Sequence, residues 1–298
     1  MTDVSGVRTS RLDSVTSADD TVIGYRTVGH PGTGARQPGV VVLHGAMESS
    51  HSHLQLAEAL AADFTVYLPD RRGRGMSGPC GADHGMDREL EDLDAVLTAT
   101  GARDLIGVSS GALITLRAAL DNPSVRRAVV FEPPLSVNGS APTDWLPRYE
   151  AEMARGDIAA ALVTGMLGAR MGPPVFDRVP RPLLKLLTKL TMGSDDLPDG
   201  TGEPSMRTLA PTLRCDLRLV SEAAETVGGF AAIRAEVLLL GGDRSPAYLK
   251  TALNALERVL PRVERVELPG LGHGATGNRN RGGRPELVAQ VLRAFLKP

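Results

Sequence analysis

Short apolar runs alternate with amphipathic segments through the first half of the chain. Residues 11–29 suggest two extended segments joined by a turn at ADD. Four later runs have the length and boundaries of strands: VVVL at 40–43, FTVYLPD at 64–70, DLIGVS at 104–109 and RRAVVFE at 126–132. Segments with helical spacing separate them, namely LQLAEALAA, MDRELEDLDAVLTATG and GALITLRAALDNP. The β-branched run VVVL predicts a strand buried on both faces. The alternation predicts right-handed crossovers and a mostly parallel sheet.

The pattern changes after residue 135. Residues 136–230 predict helical segments broken by GPP, RVPRP and GSDDLPDG, without a convincing buried strand. The strand pattern resumes with AEVLLLGGD, followed by a helix from about Tyr248 to Leu260, the strand RVERVEL and a final helix beginning at Pro285. We therefore expect an α/β core formed by residues 1–135 and 231–298. Residues 136–230 are expected to form a helical cap above the carboxyl ends of the strands, where such sheets bind ligands.

Composition narrows the choice of function. The chain has 298 residues, 42% of them hydrophobic, and a net charge of −2, so a large core is expected, whereas a nucleic-acid or membrane partner is not. No signal peptide or membrane span is visible, and we expect a soluble cytoplasmic protein, a monomer or small homo-oligomer. Cys80 and Cys215 lie far apart and have no metal or redox spacing, so they are expected to be free buried thiols. No cofactor or metal is expected.

The stretch GVSSG, residues 107–111, carries the most informative pattern. It fits Gly-x-Ser-x-Gly at a predicted strand-to-helix junction, where the serine occupies a sharp, strained turn and the glycines leave room for close backbones. Centring the motif on Ser110 would replace the glycines by Val108 and Ala112, so Ser109 is the candidate nucleophile. Ser110 would begin the helix and offer its backbone N–H to an oxyanion. The alternative is a tight turn with an inert serine.

Four segments in this order resemble the α/β-hydrolase superfamily: VVVLHGAMESS, YLPDRRGRGMSGP, GVSSG and LPGLGHGA. The resemblance covers about residues 15–298 apart from the predicted cap. It implies that His273 is the general base for Ser109 and that Ala46 supplies the second oxyanion N–H. It also implies that His44 is structural. We expect His30, His51, His53 and His84 to be ordinary polar residues on loops and helix starts.

The acid of the implied triad has two candidates. The family commonly places it three residues past a glycine that follows the strand after the cap, and here Asp243 is near that place but out of register. In the haloalkane dehalogenase branch the acid follows the strand before the cap, where this chain has Glu132. We favour Glu132, because a carboxylate at the end of a buried apolar strand needs a partner. The alternatives are a salt bridge or cap contact for Glu132 and turn capping for Asp243.

The sequence therefore favours a cofactor-independent serine hydrolase. Its small-molecule substrate would be an ester, lactone or thioester with an apolar part, cleaved through an acyl-enzyme. A C–C bond hydrolase, a haloperoxidase-like enzyme and a non-catalytic ligand-binding homologue are the alternatives. The leucines of RPLLKLLTKL, residues 181–190, are expected to pack the cap on the core, with an apolar acyl pocket as the second interpretation. Arg71, Arg72 and Arg74 are expected to fix their loop by salt bridges and hydrogen bonds.

Overall fold

The chain builds one sheet with helices on both sides. In the computed structural model, residues 10–29, 37–172, 174–195 and 203–297 are described. The sheet has eight strands: β1 (Arg11–Thr16), β2 (Val22–Val28), β3 (Gly39–Leu43), β4 (Thr65–Pro69), β5 (Asp104–Val108), β6 (Arg127–Phe131), β7 (Glu236–Gly242) and β8 (Val263–Leu268). The sequence prediction of an α/β fold is confirmed.

The strand order is β1-β2-β4-β3-β5-β6-β7-β8. β2 pairs antiparallel with β1 and with β4, and every other pairing is parallel. In the centre, Val108 of β5 lies opposite Phe131 of β6, and Phe131 lies opposite Leu240 of β7. The carboxyl ends of these three strands therefore meet at one edge of the sheet, and the residues that follow them are neighbours.

Helices cover both faces of the sheet because its central strands are apolar on both sides. In β3, Val41 and Leu43 pack into one cluster and Val40 and Val42 into the other, as predicted for VVVL. The first cluster includes residues of α2 (Met86–Thr100), α3 (Ser110–Asp121) and α9 (Ala247–Val259), and the second includes residues of α1 (Leu54–Leu60) and α10 (Pro285–Leu296).

The segment between β6 and β7 contains helices and no strand among its described residues. We call residues 136–230 the inserted segment. Its α-helices are α4 (Leu146–Ala154), α5 (Ile158–Gly168), α6 (Arg181–Asp195), α7 (Met206–Leu209) and α8 (Leu213–Glu222). Part of the predicted cap, residues 173 and 196–202, lies outside the described residues. None of the helices in the described chain is both long and apolar enough to span a membrane.

The two cysteines correct one expectation. Cys80 and Cys215 form a disulfide instead of two free thiols. They are 135 residues apart in sequence, but Cys80 lies in the loop between β4 and α2, and α8 of the inserted segment, which carries Cys215, packs beside that loop. A long separation in the chain places no limit on proximity in the fold, so spacing alone was a poor guide to their state.

Candidate active site

Ser109 occupies the turn between β5 and α3. Its backbone has φ 53° and ψ −121°, in the region that L-residues rarely adopt. The two motif glycines make the turn possible. A Cβ on Gly107 would lie 2.3 Å from Thr115 Oγ1 and 2.5 Å from Gly111 O, and one on Gly111 would lie 2.4 Å from Leu43 O. The predicted role of these glycines, to let strand and helix backbones nearly touch, is confirmed.

Two backbone N–H groups lie beside Ser109. Ser110 is the first residue of α3, so its N–H has no partner within the helix. Ala46 follows Gly45 after β3, and its N–H makes no hydrogen bond within the described residues. A Cβ on Gly45 would lie 2.8 Å from the Cβ of Ser109, so this loop passes directly against the serine. Both N–H groups can therefore donate to an oxygen bound at Ser109.

His273 is held by Glu132. The Nδ1 atom of His273 lies 2.6 Å from Oε2 of Glu132, and the N–H of Gly242 donates to the other carboxylate oxygen, also at 2.6 Å. Glu132 directly follows β6 at φ 46° and is 1% exposed. Two contacts at this distance fix the carboxylate, and the carboxylate in turn fixes the orientation and the Nδ1–H tautomer of the imidazole ring.

Asp243, the other candidate acid, is placed differently. It directly follows β7 and is exposed, and its Oδ1 accepts a hydrogen bond from the N–H of Gly270 at 2.8 Å. Asp243 makes no hydrogen bond or ion pair with His273 in the described chain and does not line the cavity described next. Its geometry is that of a turn-capping carboxylate.

One cavity brings four of the candidates together. It has a volume of about 680 Å³, and Ser109, Ser110, Ala46 and His273 all line it. The described residues show no hydrogen bond between the Ser109 hydroxyl and the His273 ring, a contact that commonly tightens only when substrate binds. A second depression of about 550 Å³, lined by Val15, Thr16 and neighbouring residues, contains none of the candidates.

The inserted segment supplies most of the apolar wall of this cavity. Trp145, Leu162, Met166, Leu184, Leu187 and Leu213 are among its contributions. Helix α6 packs mainly on α5 of the same segment and directs Leu184 and Leu187 to the cavity. The leucines of 181–190 were expected to pack this segment on the core. That expectation is wrong because α6 lies on its own neighbours rather than on the sheet. The second interpretation, an apolar pocket, describes Leu184 and Leu187, whereas Leu183, Leu186 and Leu190 are exposed and do not line the cavity.

A buried ionic network lies behind Ser110. The hydroxyl of Ser110 donates to Asp216 Oδ1 at 2.7 Å and accepts from Arg71 Nη1 at 3.0 Å. Arg71 also pairs with Glu89 and Asp216, and Arg74 pairs with Asp216. Burial alone would raise the pKa of Asp216, but Arg74 and Arg71 hold it below its usual value. Arg72 pairs likewise with Asp19 and Asp92, so the predicted loop-fixing role of the arginines is confirmed. Beside its predicted N–H role, Ser110 anchors this network through its hydroxyl.

Sequence reasoning missed Asp216, because α8 reaches Ser110 only in the folded chain. It also missed Glu48. Glu48 Oε2 accepts the N–H of Gly45 at 2.7 Å and pairs with His53 Nε2 at 3.2 Å. Burial favours neutral forms of both groups, yet their attraction lowers the pKa of Glu48 to about 2 and raises that of His53. The glutamate within HGAMESS could have indicated a partner of this kind. The Glu48–His53 pair anchors the loop that carries Ala46.

The other histidines are more buried than expected. His51, His53 and His84 lie on a short helix or loop as predicted, but all three are buried, and His30 falls outside the described residues. His44 is fully buried, which lowers its pKa well below its usual value, and Arg74 and Arg71 add to that effect. Its Nδ1 contacts Gly45 O, and its Nε2 accepts the N–H of Arg71. This neutral ring links two loops, in line with a structural role.

Comparison with known proteins places this geometry in a family. A family model described as "Alpha/beta hydrolase family" matches residues 40–291. The chain belongs to the alpha/beta hydrolase family. An alpha/beta hydrolase from Sphaerobacter thermophilus has 30% sequence identity and a TM-score of 0.75, with 96% of this chain and 100% of that chain covered. The alpha/beta hydrolase fold inferred from the four sequence segments is thereby confirmed.

Two curated relatives are similar to this hydrolase. The pimeloyl-[acyl-carrier protein] methyl ester esterase of Xanthomonas campestris pv. campestris is 26% identical over 275 residues, which cover 87% of this chain and 95% of the esterase. The pyrrolizixenacetamide deacetylase of Xenorhabdus hominickii is 34% identical over 101 residues, 32% of this chain. The matched part spans 36% of the length of the deacetylase. The family and its relatives identify the chain as a hydrolase enzyme.

Proposed function

We propose that this hydrolase is a cofactor-independent serine hydrolase that cleaves a carboxylic ester, lactone or thioester with a neutral, apolar acyl part. The Glu132–His273 pair is the observation that carries the proposal. Its two facing atoms are 2.6 Å apart, and His273 lines the same cavity as Ser109 and the residues of both free N–H groups. A hydroxyl on a strained turn, an oriented imidazole and two backbone N–H donors are the parts that acyl transfer requires.

Each group has one role in the proposed reaction. The Ser109 hydroxyl attacks the substrate carbonyl carbon while His273 Nε2 takes its proton, and Glu132 stabilises the imidazolium that forms. The N–H groups of Ala46 and Ser110 donate to the tetrahedral oxyanion. Collapse of this intermediate breaks the bond to the leaving group, which takes the proton from His273. Water then attacks the acyl-enzyme with His273 again as base, and free Ser109 and the acid are released.

The charges around the cavity argue for a neutral substrate. Three charged side chains other than His273 contribute to the lining, and each is already paired within the protein. Glu48 pairs with His53, Asp216 pairs with Arg71 and Arg74, and Arg281 Nη2 lies 2.6 Å from Glu203. A substrate carboxylate would have to displace one of these partners. Most of the remaining wall is apolar, and its other polar residues, such as Thr143, Thr188 and Thr191, are uncharged, so a neutral acyl group fits it best.

We also propose that the inserted segment acts as the cap that selects the acyl group. Leu162, Met166 and Leu184 of that segment line the same cavity as Ser109. The activities of the two relatives, a methyl ester esterase and a deacetylase, support acyl transfer to water as the reaction class.

A matched set of chromogenic esters tests the proposal. p-Nitrophenyl esters with a short acyl chain, a longer apolar chain and a chain of similar length ending in a carboxylate are compared by kcat/KM. The apolar chain should be cleaved fastest and the carboxylate-terminated chain slowest, and Ser109→Ala should abolish turnover of all three. Faster cleavage of a C–C diketone substrate than of every ester would contradict ester hydrolysis and favour the C–C hydrolase alternative.

A further inference from the structure

The loop between β4 and α2 and helix α8 bring three soft ligand groups together. The sulfur atoms of Cys80 and Cys215 and a ring nitrogen of His84 all lie within 4.8 Å of one another, and all three residues are buried. This cluster is separate from the residues proposed for catalysis. We propose that, when the disulfide is reduced, Cys80, His84 and Cys215 form a zinc site that joins the inserted segment to the core.

The buried ring of His84 has no hydrogen-bond partner among the described residues. Its side chain is 3% exposed, and neither ring nitrogen makes a hydrogen bond within the described residues. A buried polar atom left without a partner costs about 1–3 kcal/mol. Glu89 Oε1 lies 3.4 Å from Nε2, but Glu89 is already held by the guanidinium of Arg71. A metal ion bound to one ring nitrogen would satisfy His84, with Glu89 placed to orient the ring as carboxylates do for metal-ligating histidines.

The spacing and geometry suit zinc. Cys80 and His84 are separated by three residues, and Gly81 between them has φ +71°, which turns the loop back so that both side chains reach one point. Two thiolates and one imidazole are a ligand set typical of Zn²⁺. With Zn–S bonds of about 2.3 Å, tetrahedral geometry requires the two sulfur atoms to lie about 3.8 Å apart. Water can occupy the fourth position.

The proposed chemistry is balanced as follows. A dithiol or phosphine reductant supplies two electrons and is itself oxidised, and the disulfide takes up two protons to give two thiols. Zn²⁺ then displaces both thiol protons to solvent and binds two thiolates and neutral His84. Cys215 directly precedes Asp216, which contacts Ser110. The disulfide in the oxidised protein and the zinc ion in the reduced protein would each hold α8 beside the core. In both states the attachment is at Cys215, the residue next to the one that contacts Ser110.

Metal titration of the full chain tests the site. Protein reduced under argon is titrated with Co²⁺ and then Zn²⁺, and bound metal is measured by elemental analysis after gel filtration. We expect one equivalent of metal, thiolate-to-cobalt charge-transfer absorption that zinc abolishes, and no uptake by the oxidised protein. His84→Ala and Cys215→Ser should each weaken binding at least about tenfold, the lower end of the loss seen even for outer-shell changes. Asp83→Asn, a neighbour that pairs with Arg88 at the surface, is the matched control and should bind normally.

Several results would overturn the proposal. Equal uptake by reduced and oxidised protein, absence of charge-transfer absorption, or unchanged binding by His84→Ala each excludes the three-ligand site. If reduction unfolds the protein, one equivalent of Zn²⁺ present during reduction must preserve the circular dichroism spectrum of the folded state. Failure to preserve it also contradicts the site. Neither readout depends on hydrolase activity, so the zinc site and the proposed function can fail separately.

Discussion

Replacement of Glu132 by glutamine preserves the shape of the side chain and removes its charge. In the wild type, one carboxylate oxygen accepts from Gly242 N–H and the other lies 2.6 Å from His273 Nδ1. An amide has only one acceptor oxygen. If that oxygen keeps the Gly242 bond, the amide NH₂ faces Nδ1. The ring then carries its proton on Nε2, where the Ser109 hydroxyl needs an acceptor.

The expected loss can be estimated from these two contacts. Holding the wrong imidazole tautomer in a Ser-His-acid triad lowers kcat about 10⁴-fold, equivalent to about 5.4 kcal/mol at 1.36 kcal/mol per decade. Turning the charge-assisted bond from Gly242 into a neutral one should lower the free energy of unfolding by about 1–2 kcal/mol. Activity should therefore fall far more than stability.

The assay compares kcat for a p-nitrophenyl ester with urea denaturation of the same preparations. Asp243→Asn is the matched control, since its oxygen can still accept from Gly270 N–H, and it should leave kcat essentially unchanged. Near-normal kcat for Glu132→Gln would refute the reasoning, as would a loss confined to Asp243→Asn, which would make Asp243 the acid.

Three further predictions concern the surroundings of the site. Ser110→Ala should lower the free energy of unfolding by about 1 kcal/mol, because the hydroxyl loses its hydrogen bonds to Asp216 and Arg71. Its kcat should fall less than about tenfold, because the backbone N–H remains. A loss of kcat as large as that of Ser109→Ala would contradict this prediction. Gly107→Ala should destabilise the fold by about 1–3 kcal/mol, because the added Cβ would clash with Thr115 and Gly111. Gly228→Ala is the control and should not destabilise the fold, because no atom lies within 4 Å of its added Cβ. Equal midpoints of thermal unfolding for the two variants would refute the packing argument. The Glu48–His53 pair should stabilise the protein relative to His53→Gln, and this difference in the free energy of unfolding should be largest between pH 4.5 and 6.5. It should shrink as the pH rises through the raised pKa of His53, and also as the pH falls towards the lowered pKa of Glu48, about 2. A difference that does not change with pH in urea denaturation would exclude the pair.

The sheet could be predicted because its local signals agree with its tertiary environment. Strands buried on both faces, such as Val40–Leu43, are short apolar runs, and their alternation with helices leaves few topologies. The turn at Ser109 was predictable for a related reason. Its glycines are required by close backbone contacts with Leu43 and Ala112, and those contacts follow from the strand-turn-helix geometry itself.

The sequence favoured Glu132 as the acid but left Asp243 open as the second candidate. Glu132 and Asp243 follow adjacent strands, β6 and β7, so both lie at the same edge of the sheet. What separates them in the structure is the partner of each carboxylate: Glu132 lies 2.6 Å from His273 Nδ1, whereas Asp243 accepts the N–H of Gly270. These partners depend on how loops from distant parts of the chain are packed, and no local pattern encodes that choice.

Asp216 and the Cys80–Cys215 disulfide were missed because they join the inserted segment to the core. Arg71 meets Asp216 across 145 residues, and the disulfide closes a separation of 135 residues. Hydrophobic periodicity predicts elements and their buried faces, but the mutual placement of two helical layers depends on packing. The spacing of cysteines along the chain likewise does not show which of them lie close together in the fold.

Reaction with a fluorophosphonate probe tests the central claim most directly, because the probe phosphonylates a serine only when its hydroxyl is activated. Peptide mass spectrometry should find the label on Ser109 of the folded wild type. Labelling should be absent from Ser109→Ala, strongly reduced in Glu132→Gln and retained in Asp243→Asn. A folded wild type that takes up no label, or a Ser109→Ala variant that is labelled as fully as the wild type, would contradict Ser109 as the nucleophile of this hydrolase.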